Sequence, residues 1–89
     1  MSELKEWQGF RSGQKVELLI ETKGDDHDGI EHTVPPGATG FIDHIERYDN
    51  DQGVVVAVVI KTNSDNPESH IVNHFDEKDG PIENFLKAM

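Results

Sequence analysis

Val34-Pro35-Pro36-Gly37-Ala38-Thr39-Gly40-Phe41-Ile42-Asp43-His44-Ile45 decides how this chain folds. The proline pair fixes two φ angles and removes two backbone donors. Val34, ahead of a proline, is biased to extended geometry. Pro36-Gly37 suits the two central positions of a type II turn, with Gly37 at positive φ. Gly40 then opens an apolar strand, where a bulge or a close backbone approach is expected. Ile42 and Ile45 are three apart, which breaks strict alternation. Either a bulge separates them or both faces of the strand are partly covered.

Upstream, Val16, Leu18 and Ile20 alternate with Glu17, Leu19 and Glu21, the period of a strand with one face in the core. Gly13 marks the turn into it. Residues 1–9 read as a lead-in, either with Leu4 and Trp7 on one helical turn or with Trp7 as a lid over the core. Residues 23–33, Lys-Gly-Asp-Asp-His-Asp-Gly-Ile-Glu-His-Thr, read as a long polar loop with Ile30 as its only apolar residue.

Downstream, residues 48–53 form a turn cluster between two β-rich runs, a hairpin loop. Residues 54–60, Val-Val-Val-Ala-Val-Val-Ile, predict a central strand covered on both faces. Residues 62–68 are a second polar loop, and residues 70–75 a further strand. Asp79-Gly80-Pro81 ends that strand. Ile82, Phe85, Leu86 and Met89 then recur at helical spacing, which suggests one or two turns of helix or 3-10 helix; a short final strand is the alternative. The chain reads as one all-β domain over 10–89, preceded by the lead-in 1–9.

The chain has 89 residues, and its 18 acidic and 8 basic side chains leave a net charge of -10. A chain of this size buries roughly 60–65% of its unfolded surface, so its core is small. Phosphate backbones and anionic lipids are repelled on average, which disfavours nucleic acid and membrane and favours a basic protein partner. The sequence contains no cysteine, so disulfides and thiolate metal sites are excluded. The charged N-terminus lacks an apolar signal core, and the longest apolar run is too short to span a bilayer. A soluble, cytoplasmic protein is the expectation.

The acidic loop invites a calcium reading. With Gly29 at position 6 of an EF-hand loop, positions 1 and 12 fall on Gly24 and Pro35, neither of which supplies the ligand required. His70 and His74 are four apart; on a strand their α-carbons lie roughly 13 Å apart, too far for one ion. Asp43 and His44, as neighbours on a strand, are expected on opposite faces and so unable to form a relay. None of the serines sits in a nucleophile elbow, and prolines deprive the central turn of the donors that a phosphate cradle needs.

The layout resembles the SH3-like small barrels. Phe10-x-x-Gly13-x-x-Val16 looks like their first strand, and a long loop follows as in many of them. Pro36-Gly37-Ala38-Thr39-Gly40-Phe41-Ile42-x-x-Ile45 looks like the turn that opens their second strand. Asn73-His74-Phe75-Asp76, then Ile82-Glu83-Asn84-Phe85-Leu86, looks like their closing turn and last short strand. The loop after Val59 is longer than theirs. The resemblance implies a partly open five-stranded barrel with a short C-terminal helical or 3-10 turn, and no single activity. With one Trp and one Tyr, the aromatic groove of the proline-peptide binders does not carry over.

The expectation is a non-catalytic binding module or accessory subunit without a cofactor. It would meet a basic protein through Asp25, Asp26, Asp28 and His32 in the acidic loop and Tyr48 and Asp49 at the hairpin tip. The alternative is a metal-binding protein or small enzyme subunit using His27, His32, His70, His74 and the loop aspartates.

Overall fold

The computed structural model describes residues 2–49, 53–61 and 69–89. The predicted loop over 62–68 lies outside the described residues. Among the described residues ten strands run in chain order: β1 Ser2–Leu4, β2 Glu6–Trp7, β3 Phe10–Arg11, β4 Lys15–Leu18, β5 Thr22–Asp25, β6 Glu31–Val34, β7 Thr39–Arg47, β8 Val54–Lys61, β9 His70–Asp76 and β10 Leu86–Ala88. Two 3-10 turns, Glu77–Asp79 and Ile82–Asn84, separate β9 from β10. The main sheet has the order β10-β4-β7-β8-β9, with β1 on β7; β2-β3 and β5-β6 are two-stranded ribbons. Every pairing is antiparallel.

The central turn forms as its residues dictate. Gly37 has φ +93°, and the Ala38 N–H donates to the Pro35 carbonyl at 3.3 Å. At Gly40 the backbone of β7 approaches β8 closely. A Cβ there would lie 2.7 Å from the Val59 carbonyl oxygen and 3.0 Å from Val58 and Ile60 side-chain carbons. The β7–β8 register then shifts between Ile42 and His44, so Asp43 is the extra residue of a bulge. The bulge puts Ile42 and Ile45 both in the core, at 1% and 0% exposure.

On β8, Val54, Val56, Val58 and Ile60 face the core cluster, which also holds Val16, Leu18, Ile42, Ile45, Ile71, Phe75, Ile82 and Leu86. The opposite face carries Val55 and Ala57, also buried, and half-buried Val59. Covering both faces of one strand explains the unbroken β-branched run. Each such side chain, fully buried, contributes about 1.5–3 kcal/mol of transfer free energy.

Several elements differ from expectation. The lead-in is built of strands: β1 pairs with Ile45, Glu46 and Arg47 of β7, and β2 and β3 form a hairpin. Gln8 and Gly9, both at positive φ (48° and 86°), make its two-residue turn, so there is no helical turn through Leu4 and Trp7. Trp7, half-buried, packs against the core opposite Phe10. β4 stops at Leu18, and Ile20 is exposed rather than inside, because the chain bends there and the Leu19 N–H bonds the Phe85 carbonyl at 2.8 Å. The polar loop over 23–33 is a β-ribbon. At the C-terminus the two alternatives occur in succession, 3-10 turn and then strand, and Met89 is exposed at 61% rather than packed.

Gly40→Ala is expected to destabilise the fold by about 2 kcal/mol, since the added carbon meets rigid backbone. Chemical denaturation checks this, with Gly24→Ala as a control at ordinary backbone angles, where the added carbon meets only the Ile71 side chain, at 3.3 Å.

Candidate functional site

The β5–β6 ribbon is built around Asp26. Its carboxylate accepts hydrogen bonds from the Asp28 N–H at 2.9 Å, the Ile30 N–H at 3.1 Å and the His32 ring at 2.6 Å. An ionised carboxylate only accepts, so His32 Nε2 carries the proton in that bond. The Asp26 N–H donates to the Ile30 carbonyl, and the Gly29 N–H to the Asp26 carbonyl, both at 3.0 Å. With Gly29 at φ +79°, this is a type I turn closed by a glycine bulge. The His32 bond, ahead of the two backbone bonds, holds the Asp26 carboxyl below the usual carboxylate range.

The ribbon lies along β9. The Thr22 hydroxyl donates to Asn73 at 3.3 Å, and the Asn73 amide donates to the Lys23 carbonyl at 3.0 Å. Gly24 faces Ile71, with 3.3 Å left for a Cβ. The residues turned outward pair as Lys23 with Thr33 and Asp25 with Glu31. Asp25, Asp28 and Glu31 are exposed.

Tyr48 is also committed to structure. Its hydroxyl donates to Asp76 at 2.7 Å, while the Lys78 ammonium sits 4.6 Å from its ring centroid. The other Asp76 oxygen caps the first 3-10 turn by accepting from the Lys78 N–H at 2.9 Å. That backbone bond, then the tyrosine, lowers the Asp76 carboxyl; the same carboxylate raises the Tyr48 phenol. Tyr48 therefore ties the chain just after β7 to the end of β9. Asp49, beside it, is exposed.

The two predicted halves of the partner surface do not meet. Asp25, Asp26, Asp28 and His32 cluster on the ribbon, which reaches β9 near Ile71. Tyr48 and Asp49 lie at its Asp76 end, five residues or about 16 Å along the strand. Asp26 and His32 hold the turn, so the outward carboxylates of this group are Asp25 and Asp28.

Asp43 and His44 do meet, contrary to expectation. The bulge disturbs the alternation, and His44 Nδ1 lies 2.7 Å from Asp43, with Nε2 3.0 Å from Glu46. His44 also makes an edge contact with His74 across Ala57, with ring centroids 6.3 Å apart. The signal for this grouping was the Ile42–Ile45 spacing, which already implied the bulge. Among the described residues, no group of three or more His, Asp or Glu is placed to hold a metal ion. An open cleft of about 340 Å³ lies between the ribbon and the sheet, lined by residues including His32, Pro35, Thr39 and Lys61.

No protein-family model, curated protein or solved structure matches this chain.

The Asp26 value is lowered on folding, so its bonds stabilise the turn fully above the usual carboxylate range, near pH 4. That stability is lost as pH falls through the lowered value. Amide signals of Asp28 and Ile30 are expected to move together in that acid range and to lose the transition in Asp26→Ala. Asp28 and Ile30 signals that move independently of one another, or a transition that persists in Asp26→Ala, would contradict the turn network.

Proposed function

We propose that this chain is an SH3-like, partly open five-stranded barrel that acts as a non-catalytic module for a basic protein partner, in the cytoplasm. The strand order supports the architecture. β4, β7, β8 and β9 form a meander, and the 3-10 turns carry the chain back so that β10 pairs with β4. Phe85, just before β10, stacks on Phe75 of β9 at 6.0 Å, bridging the gap between the first and last edges of that order.

One observation carries the partner reading. Asp25 and Glu31 lie directly opposite one another on the outward face of the ribbon. Like charges in that position oppose folding. Among the described residues neither has an ion-pair partner, although Lys23 is two residues away on the same face. A lysine or arginine from a partner would relieve the repulsion. Asp28 at the tip, with its side chain 65% exposed, extends the same surface.

Titration with a lysine-rich peptide tests this reading. The affinity is expected to fall at least about tenfold between 50 mM and 300 mM salt, as the screening length shortens. Asp25→Asn with Glu31→Gln is expected to weaken binding severalfold while leaving the fold slightly more stable. Absence of binding, or an affinity unchanged up to molar salt, would overturn it.

A further inference from the structure

The β5–β6 ribbon has two edges, and its register separates them. The Asp26 N–H donates to the Ile30 carbonyl, which makes Asp26 and Ile30 a hydrogen-bonded pair. In an antiparallel ladder such pairs alternate with pairs whose backbone N–H and C=O groups point away from the partner strand. Along this register Gly24–His32 and Thr22–Val34 are therefore bonded pairs, while Asp25–Glu31 and Lys23–Thr33 turn their backbone groups outward. The Lys23 carbonyl agrees, since it accepts from the Asn73 side chain of β9. The β5 edge is thus the one turned toward β9.

The β6 edge is open. Among the described residues no further strand joins the ribbon, and neither Glu31 nor Thr33 makes a backbone hydrogen bond beyond it. Both residues are exposed. The cleft of about 340 Å³ lies on this side of the ribbon. Thr33, Val34 and Pro35 line it, with Ala38, Ile60 and Lys61 across from them and, among the described residues, none from β5.

We infer that the basic segment of the partner binds as an extended strand antiparallel to β6 along this open edge, which rests on the basic-partner reading of the ribbon. Backbone hydrogen bonds supply affinity in such strand addition, and alternate side chains supply specificity. The partner residues opposite Glu31 and Thr33 each exchange two backbone bonds and turn their side chains outward. The one opposite Glu31 extends the Asp25–Glu31 row, where two carboxylates lack a cation, so it is lysine or arginine. The residues opposite His32 and Val34 turn inward toward Ala38 and Ile60, so they are apolar. Lys61 beside them repels a cation at these inward positions, which fixes the register. A carboxylate on a short edge also discourages pairing with acidic strands, among them a second copy of this chain with its net charge of -10.

Titration of the protein with the blocked peptide acetyl-Thr-Val-Thr-Val-Lys-Thr-amide, followed by NMR, tests this. Its lysine falls opposite Glu31, its central threonine opposite Thr33, and its valines opposite His32 and Val34. Hydrogen exchange of the Glu31 and Thr33 amides is expected to slow severalfold on binding, while the His32 amide, already bonded within the ribbon, changes little. N-methylation of the central threonine and the lysine removes the two donors aimed at β6 and is expected to raise the Kd at least about tenfold. N-methylation of the two valines, whose N–H groups point away from β6, is expected to leave it within about threefold. A peptide that does not bind, a threonine- and lysine-methylated peptide that binds as tightly as its parent, or binding without protection of Glu31 and Thr33 would each overturn strand addition. The lysine-rich peptide separates the two failures: its salt-sensitive binding leaves the basic-partner reading standing, and its failure to bind removes both.

Discussion

β7 has to serve two neighbours along one edge. Its residues Thr39, Gly40 and Phe41 pair with β4, and Ile45, Glu46 and Arg47 pair with β1, while its other edge pairs with β8 along nearly the whole length. A straight, regular strand could not place Ile42 and Ile45 on the same face. The bulge at Asp43 solves this by inserting one residue, and Gly40 lets the strand lie close against β8 just before it. The core cluster, the pairing of β1 and the meeting of Asp43 with His44 all follow from that bend. Glycine and bulge act at different levels: the first through sterics at one backbone atom, the second through the register of every residue beyond it.

Much of this was legible in the sequence because it rests on backbone rules. The Pro-Pro-Gly turn, the close approach at Gly40, the irregular Ile42–Ile45 spacing and the doubly covered run over 54–60 follow from residue type and period alone. The ribbon was not legible in composition, since strands are seldom read where Asp, Gly and His dominate. Its signal was local: Asp28-Gly29 supplies a turn with a glycine at positive φ, and Asp26 supplies the acceptor for two turn amides. Ribbon strands with one face against β9 need few apolar residues, and Thr22, Gly24 and Val34 suffice. The N-terminal strands escaped for a related reason. Gln8-Gly9 is a weaker hairpin turn than Asn-Gly, and pairing with β7 depends on a remote partner.

Ile20 and Met89 show the limits of periodicity. Both continue a pattern begun by buried neighbours, Val16 and Leu18 in one case, Ile82 and Leu86 in the other. Both lie where the element has already ended. β4 stops where the Leu19 amide turns to Phe85, and the 3-10 turn stops where β10 begins to pair with β4. Period describes an element only while its hydrogen bonds continue.

The acidic candidates, which composition treats as one class, divide into two kinds. Asp26 and Asp76 accept several hydrogen bonds each, and folding lowers both carboxyls; they belong to the architecture of a turn and a cap. Asp25 and Glu31 face each other across the ribbon, and among the described residues neither has an ion-pair partner. A net charge alone would place all four in one solvated coat. Their geometry separates them: a carboxylate whose oxygens are occupied by amides and a histidine has little capacity left for a partner's cation, whereas an opposed pair without a cation has the most to gain from one. The ribbon thus presents a charge conflict outward on a turn held rigid by Asp26, so the geometry of its outward carboxylates is set before any partner arrives, and less ordering entropy opposes their engagement.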